Sequence, residues 1–511
     1  MDGDHAHRCR LHPWGIRTAA PADHESGGPA VNASTWKHAA RIARSGAAAL
    51  TSRYPSAPRP LAEPPAGSGL LPVPGDGGVP YLGASLQLLD DPLRFFRGRE
   101  RRYGPLFWCR ALGREVVVVG DPAGMEQVLL DREKVFSAKG GWDFLIGAFF
   151  DGGILLRDFE EHLHHRRIMQ QAFTRPRLIG YLDIINPAVT QRLSTWRPGD
   201  DFRLFDATKK MLLETATEVF VGADLAPGQA DRLERAFIDA VRGGQALVRA
   251  PLPGGIWARG LRGRRVLQEF FRDQLPRKRS GDGADLFSVL CHSASVEGHT
   301  FTDADIVDHM IFVLMAAHDT STIALSMLAY HLARDPQWQD RLRAESQALG
   351  TEHLGYPDLD RLPGLDLAFK ETLRMYSPVS QQMREALRDT EINGHHVPAG
   401  TLVAASSYPM MRRSGPWPDP DRWDPSRFEA DAASRHRFAW APFGGGAHKC
   451  IGLYFGGMTV KSVLHQMLLR YRWSVPDGYE VPLEIATGPA PADGLPVRLE
   501  RLPAPAGLQV G

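Results

Sequence analysis

Residues 443–450, with the sequence FGGGAHKC, bring three glycines, a histidine and a cysteine together near the C-terminus. A cysteine thiolate is a strongly donating ligand for haem iron, and glycines without a Cβ would let the chain approach a flat macrocycle closely. A helical pattern begins at Leu453, so the free N–H groups of a helix start would point at the sulfur. Alternatively, Cys450 is a small buried cysteine in a glycine-rich loop with only a packing role. The loop alone leaves both interpretations open.

Glu371 and Arg374 lie three residues apart on a predicted helix, so they share one helix face and can form an ion pair. Such a pair is usually exposed and contributes little. Apolar neighbours indicate a partly buried helix here, where an arginine needs more than one acceptor or a second charged partner. Arg427, in the loop-like stretch RWDPSRF, is a candidate for that role.

Residues 316–321, AAHDTS, place polar side chains in the middle of a long apolar helical pattern. Asp319 and Thr320 would compete there for backbone hydrogen bonds, which disfavours them in a helix interior. Thr320 could simply bond the carbonyl four residues earlier. Alternatively, the helix opens locally, and the small residues Ala316 and Ala317 leave room for a small polar ligand.

His162 and Arg166 are four residues apart in the stretch EEHLHHRRIMQQAF, so they would project from one face of a helix. A histidine and an arginine in this arrangement can bind a carboxylate. A solvated basic helix face has the same pattern, and for this pair alone that interpretation is favoured.

The elements that must position these groups are mostly helices. Thr302 and Asp305 form a capping box, and Asp335-Pro336 supplies a stop, which predicts a buried helix from residue 302 to about 334. Further helices are predicted at 336–349 and 364–376, and a buried strand at 114–122. The sequence therefore predicts a mainly α fold with small β-sheets.

The first 70 residues are rich in Ala, Pro, Gly and Ser, which predicts a mostly disordered extension before a domain at 71–505. Within this extension, residues 36–50 could form a weak amphipathic helix. The formal net charge of +1 gives no reason to expect nucleic acid as a partner. Four scattered cysteines favour a reducing compartment. Because neither a signal peptide nor a transmembrane anchor is evident, we expect a cytoplasmic protein.

Taken together, in this order and at these separations, the four groups resemble the cytochrome P-450 family of haem-thiolate monooxygenases. The family's highly specific pattern Phe-x-x-Gly-x-His/Arg-x-Cys-x-Gly is met by Phe443, Gly446, His448, Cys450 and Gly452. The Glu-x-x-Arg pair with its later arginine, the long-helix motif and the His/Arg pair also match, and the resemblance runs from about residue 71 to about residue 500. It implies the cytochrome P-450 fold, a single large α-rich domain with a long central helix over the haem.

The resemblance also implies a role for each candidate residue. Cys450 is the proximal ligand of the iron in haem b, and Asp319 with Thr320 relays protons during oxygen activation. Glu371, Arg374 and Arg427 are structural. The other cofactor-binding residues implied are His162, Arg166, Arg384 and His448 at the propionates, Phe443 beside the sulfur, and Ala316.

The implied activity inserts one oxygen atom of dioxygen into a C–H bond of a hydrophobic small molecule that is terpenoid, steroid or fatty-acid-like. Ala317 departs from the family's usual glycine, so the geometry of the oxygen pocket could differ. Two alternatives are a peroxide-using or isomerising haem-thiolate enzyme and a non-catalytic haem-binding protein. The Asp319–Thr320 pair argues against both.

Family recognition segments indicate where the substrate would bind. They place its walls at 144–150, Phe312, Val313, Ala316 and 379–383. The segment 246–265 lies where the family has its entrance lid, and Ile256 and Trp257 within it could make peripheral contact with a membrane. A packed loop with a solvated basic face is the commoner meaning of such a mixture.

We expect electrons to come ultimately from NAD(P)H through separate partners, of which a ferredoxin and a ferredoxin reductase are the favoured pair. Lys449, Arg412 and Arg413 could form part of a basic docking face, because electron-transfer encounters are small and steered by charge.

Overall fold

The computed structural model describes residues 33–222, 228–246, 248–429, 435–485 and 488–503. Helices dominate these ranges, and the predicted mainly α fold with small sheets is confirmed. The α-helices are α1 (Ala33–Ser52), α2 (Ser85–Asp90), α3 (Pro92–Tyr103), α4 (Pro122–Leu130), α5 (Ala138–Trp142), α6 (Ala148–Phe150), α7 (Phe159–Met169), α8 (Arg175–Ser194), α9 (Leu204–Val221), α10 (Gln229–Gly244), α11 (Ile256–Ser280), α12 (Leu286–His292), α13 (Asp303–Arg334), α14 (Pro336–Gln347), α15 (Pro363–Met375), α16 (Ser407–Met410) and α17 (Leu453–Arg470).

The strands form a seven-stranded sheet and three smaller sheets. They are β1 (Arg59–Pro60), β2 (Leu71–Pro72), β3 (Pro74–Asp76), β4 (Leu106–Ala111), β5 (Arg114–Val119), β6 (Phe136–Ser137), β7 (Gly199–Arg203), β8 (Gln382–Ala386), β9 (Thr390–Ile392), β10 (His395–Val397), β11 (Leu402–Ala405), β12 (Tyr471–Ser474), β13 (Leu483–Glu484), β14 (Ala490–Pro491) and β15 (Pro496–Arg501). The large sheet has the order β1-β3-β4-β5-β11-β8-β6. The smaller sheets have the orders β2-β10-β9, β12-β15-β7 and β13-β14.

The predicted strand at 114–122 is β5, which lies in the middle of the large sheet. β4 pairs with one of its edges and β11 with the other, and its four valines are buried by packing on both faces of the sheet, Val117 and Val119 in one core cluster and Val116 and Val118 in two others. A strand surrounded in this way is apolar on both faces, which explains its continuous valine run. The sheet matters for the site because β8, next to β11, carries Arg384.

Helix α13 is the long buried helix that the sequence predicts. Thr302 caps it through a capping box with Asp305, and the helix runs without interruption to Arg334. Within the described ranges it is the one helix long and apolar enough to cross a membrane by length and composition, but 72% of its most apolar window is buried inside the protein. Such burial is what a central core helix requires.

The N-terminal segment differs from the sequence expectation. The weak helix predicted at 36–50 is confirmed as α1, but the prediction of disorder is wrong for residues 33–70. Trp108 explains part of this, because its indole N–H donates to the Arg59 carbonyl and its ring lies 4.3 Å from the Arg59 guanidinium carbon. Residues 1–32 lie outside the described residues, and the domain start at 71 stays a prediction.

The helix α15 carries a fully buried ion pair. Arg374 binds Glu371 through both its Nε and Nη2 atoms, at 2.7 Å and 2.9 Å, and neither side chain is exposed. Arg427 approaches the same carboxylate at 3.4 Å, and the Asp424 backbone N–H donates to it at 2.9 Å. Arg374 also donates to the Met411 carbonyl. The pair therefore joins α15 to two loops, as the sequence pattern indicated.

We expect Glu371→Gln to lower the free energy of unfolding by about 3 kcal/mol or more, because the Arg374 guanidinium would stay buried without its counter-charge. Urea unfolding of the haem-loaded protein measures this. Glu160→Gln is the matched control, since Glu160 forms an exposed pair with Lys134, and it should change stability little. Equal effects of the two substitutions would contradict the structural role of Glu371.

Candidate active site

A mostly apolar cavity of about 840 Å³ lies beside the middle of α13. The structure brings all the predicted site residues except Arg384 to its wall. Those that line it are His162, Arg166, Ala316, Asp319, Thr320, Phe443, His448 and Cys450.

The loop before α17 presents Cys450 to this cavity. Its backbone N–H donates to the Phe443 carbonyl at 2.9 Å, which closes the loop into a tight turn. Gly446 has a φ of +63°, and a Cβ there would overlap the Leu129 carbonyl oxygen, so only glycine fits. The geometry thus requires the glycines that drew attention in the sequence.

The charge state of the Cys450 thiol depends on opposing effects. Burial raises its pKa, whereas the Gly452 backbone N–H and the cations Arg166 and Lys449 act to lower it. Gly452 stands at the start of α17, so the N–H group is one of the free donors of a helix N-terminus. These groups would favour a thiolate once a metal replaces the proton.

Two histidines face each other on the cavity wall. The ring centroids of His162 and His448 lie 3.8 Å apart, and burial lowers the pKa of His162 to about 4 and that of His448 to about 2. The cations Arg166 and Arg384 add to the effect on both rings. Both imidazoles are therefore neutral near pH 7. The buried Nδ1 atom of His162 has no hydrogen-bond partner.

The two predicted propionate arginines are placed differently. Arg166, on α7, lines the cavity near Cys450, and burial lowers its pKa while Cys450 acts to raise it. Arg384 is only 3% exposed and donates to the Met383 carbonyl at 2.8 Å. It lies close enough to act electrostatically on both histidines, but it is not part of the cavity wall.

The polar group on α13 forms without a break in the helix. Thr320 Oγ1 donates to the Ala316 carbonyl at 2.8 Å, which is the simpler of the two alternatives that the sequence left open. Both residues still line the cavity, so the small side chain at Ala316 provides space without local unwinding.

Asp319 is held by two cationic or polar partners. Its Oδ1 lies 3.4 Å from Lys209 Nζ and 3.1 Å from His318 Nδ1. Burial acts to raise the pKa of Asp319, but these partners outweigh it and the net shift is downward. Sequence reasoning missed Lys209, because it lies on α9, far from Asp319 along the chain.

The proposed substrate walls largely coincide with the cavity. Phe144, in a π-helical turn at Asp143–Gly147, lines it, whereas Phe149 packs against Trp257 with ring centroids 4.8 Å apart. Trp257 therefore packs on Phe149, as the packed-loop alternative expects, while Ile256 is 48% exposed. Peripheral contact with a membrane stays a prediction. The remaining predicted wall residues on the cavity are Leu145, Ile146, Phe150, Phe312, Val313, Ala316, Val379, Ser380, Gln381, Gln382 and Met383.

The proposed basic docking face needs correction. Arg412 is mostly buried and binds Asp421 at 2.8 Å, and Arg413 binds Glu100 at 2.7 Å. Both cations are thus already paired within the protein. Lys449 is exposed.

The comparisons with known proteins identify the family. The Cytochrome P450 family model matches residues 72–490, and the chain therefore belongs to the cytochrome P450 family. It is a monooxygenase, and thus an oxidoreductase.

Curated relatives and a solved structure agree with this assignment. A Mycobacterium tuberculosis protein named cytochrome P450 136 is 40% identical over 462 residues, which cover 88% of this chain and 92% of the relative. Abscisic acid 8'-hydroxylase 2 of Arabidopsis thaliana is 28% identical, over 83% of this chain and 89% of the relative. The structure of a cyanobacterial CYP120A1 with retinoic acid bound superposes with a TM-score of 0.77 at 26% identity, covering 85% of this chain and all of that one.

The family implies a haem cofactor, and the residues on the cavity wall fit one. A cysteine that faces the cavity and a buried histidine nitrogen without a partner are features that a flat, anionic macrocycle would satisfy. Haem supplies oxygen chemistry when bound. The protein would hold it with the Cys450 thiolate, with cationic and hydrogen-bonding groups for the propionates, and with an apolar cover.

We expect Gly446→Ala to abolish or strongly reduce haem incorporation, because the new Cβ would overlap the Leu129 carbonyl and strain a positive φ. The haem content per protein after purification with added haem precursor is the measurement. Gly98→Ala is the control, since Gly98 lies on α3, does not line the cavity, and a Cβ there meets nothing within 4 Å. Normal haem content in Gly446→Ala would contradict the importance of the turn.

Proposed function

We propose that this protein inserts one oxygen atom of dioxygen into a C–H bond of a lipophilic small molecule that is terpenoid, steroid or fatty-acid-like. The observation that carries the proposal is that Asp319 and Thr320 line the same cavity as Cys450. An acid and an alcohol on the wall of the cavity that Cys450 faces would provide a proton path, which peroxide-using and non-catalytic haem proteins can do without.

The cavity supports a lipophilic substrate. Its walls are mostly apolar and aromatic, which is the usual composition of a pocket that binds a hydrophobic ligand. Names of related proteins point the same way, since they include abscisic acid 8'-hydroxylase and taxane 10-beta-hydroxylase. The related cyanobacterial structure holds retinoic acid.

In this proposal the cofactor is haem b. Cys450 ligates its iron, and His162, Arg166 and His448 bind the propionates. Arg384, which the sequence also placed at the propionates, lies behind the cavity wall and adds positive charge from there. The imidazole N–H groups donate hydrogen bonds to the propionates, and the guanidinium groups supply positive charge. Phe443 covers the sulfur side and Ala316 leaves space on the opposite side.

Protons would reach the cavity through α13. Lys209 is 39% exposed and contacts the Asp319 carboxylate, so this carboxylate links the outside of the protein to the cavity. Thr320 already donates its hydroxyl proton to the Ala316 carbonyl, so its oxygen is free to accept a proton or a hydrogen bond from the cavity side. Ala317, in place of the family's usual glycine, leaves this geometry intact.

The electrons would come from NAD(P)H through a ferredoxin reductase and a ferredoxin in the cytoplasm. Lys449 is the remaining member of the proposed docking face, because it is exposed next to Cys450 while Arg412 and Arg413 are paired. A small, charge-steered contact at this position would bring the donor close to the cysteine side of the cofactor.

We expect Thr320→Ala to uncouple oxygen consumption from product formation, with a several-fold larger fraction of consumed oxygen released as hydrogen peroxide. The reason is the loss of the hydroxyl that positions protons in the cavity. Oxygen uptake, peroxide and product are measured with a surrogate ferredoxin and reductase.

Thr322→Ala is the matched control for this measurement. Thr322 lies on the same helix and makes the same kind of bond, to the His318 carbonyl at 2.8 Å, but it is buried and does not line the cavity. Unchanged coupling in Thr320→Ala, or equal uncoupling in both variants, would contradict the proton path.

A further inference from the structure

Three arginines that the sequence did not single out as site residues line the same cavity. They are Arg44 on α1, Arg114 at the start of β5 and Arg249 in the segment before α11. None of the three forms an ion pair with an Asp or Glu side chain in the part of the chain that the structure describes. Arg44 and Arg249 are partly buried, whereas Arg114 is exposed. A buried positive charge on an apolar wall is costly unless an anion accompanies it.

Arg249 is the clearest case of a positive charge on the cavity wall without a carboxylate partner. It is partly buried, its Nη1 donates to the Phe144 carbonyl, and its guanidinium carbon lies 4.3 Å from the Phe144 ring and 5.7 Å from the Trp257 ring. Burial lowers the pKa of Arg249, and the neighbour that acts to raise it is Tyr81, with no carboxylate involved. The guanidinium is thus fixed by aromatic contacts and one carbonyl, which leaves further N–H donors for a ligand.

The other two arginines extend the same positive region. Arg114 lies 5.8 Å from the Phe144 ring, so its guanidinium carbon is within about 10 Å of that of Arg249. The Nε atom of Arg44 is buried and has no hydrogen-bond partner. Two independent observations, uncompensated charge and an unsatisfied buried donor, therefore indicate an anionic group.

We propose that the substrate is a lipophilic carboxylic acid whose carboxylate binds Arg249, with Arg114 and Arg44 nearby, and whose hydrocarbon part extends toward Thr320 and Cys450. A guanidinium matches a carboxylate in geometry and binds it through two parallel hydrogen bonds. The proposal rests on the proposed function and narrows its substrate class.

The test is isothermal titration calorimetry of the haem-loaded protein with matched pairs of ligands. The probes are palmitic, farnesoic and retinoic acids and the methyl ester of each acid. We expect at least one acid to bind about ten-fold or more tightly than its own ester. Arg249→Gln should raise the Kd of that acid about ten- to a hundred-fold and leave the Kd of the ester unchanged.

Two further variants make the result specific. Arg249→Lys keeps the positive charge and should retain part of the preference for the acid, which guards against a simple folding defect. Arg262→Gln removes an exposed arginine of α11 and should leave both affinities unchanged. Haem content and the spectrum of each variant are checked first.

The proposal is overturned if no acid in the panel binds, if acids and esters bind equally, or if Arg249→Gln weakens both alike. Calorimetry needs neither oxygen nor electrons, so its result is separate from that of the coupling experiment. Acid binding that depends on Arg249 without any oxygenation would remove the proposed function and keep the anion site. Oxygenation that depends on Thr320, without a preference for acids over esters, would keep the proposed function and remove the anion site.

Discussion

The constraint on which the rest of the structure depends is the placement of a negatively charged sulfur inside a protein. Burial raises the pKa of the Cys450 thiol, so the surroundings must offset the cost of a thiolate. The turn that exposes the sulfur to the cavity directs the Gly452 N–H toward it, and Arg166 and Lys449 add positive charge. Each of these groups would be ineffective if the loop could relax away from the cavity.

A buried ion pair holds the chain that leads to this loop. Glu371 and Arg374 are completely buried, and they bind backbone groups of the chain between α16 and the cysteine loop. A buried ion pair contributes little to net stability compared with an apolar substitute, but it is specific in its geometry. We infer that its value here is to fix one arrangement of these segments relative to α15.

Much of the fold and of the candidate site could be predicted from the sequence, because the relevant residues form local patterns. The capping box that begins α13, the spacing of Glu371 and Arg374, and the glycines around Cys450 are each recognisable within a few residues. The groups that sequence reasoning missed are those that come together across long separations. Lys209 meets Asp319 from α9, and Arg249 meets Arg114 through Phe144.

The sequence predictions that proved wrong also failed because of contacts between residues far apart in the chain. The composition of residues 33–70 suggested disorder, but Arg59 packs on Trp108 of a strand that composition cannot connect to it. Arg412 and Arg413 looked like free surface cations until the structure showed Asp421 and Glu100 beside them.

The central claim is that Cys450 ligates haem iron as a thiolate, and the spectrum of the reduced, carbon monoxide-bound protein tests it most directly. Cys291 is a buried free cysteine that does not line the cavity, so Cys291→Ser is the matched control for Cys450→Ser. If Cys450 is the thiolate ligand, the unmodified protein and Cys291→Ser show the red-shifted Soret band of thiolate ligation, and Cys450→Ser loses it. A band without the red shift in the unmodified protein, or an unchanged red-shifted band in Cys450→Ser, would contradict it.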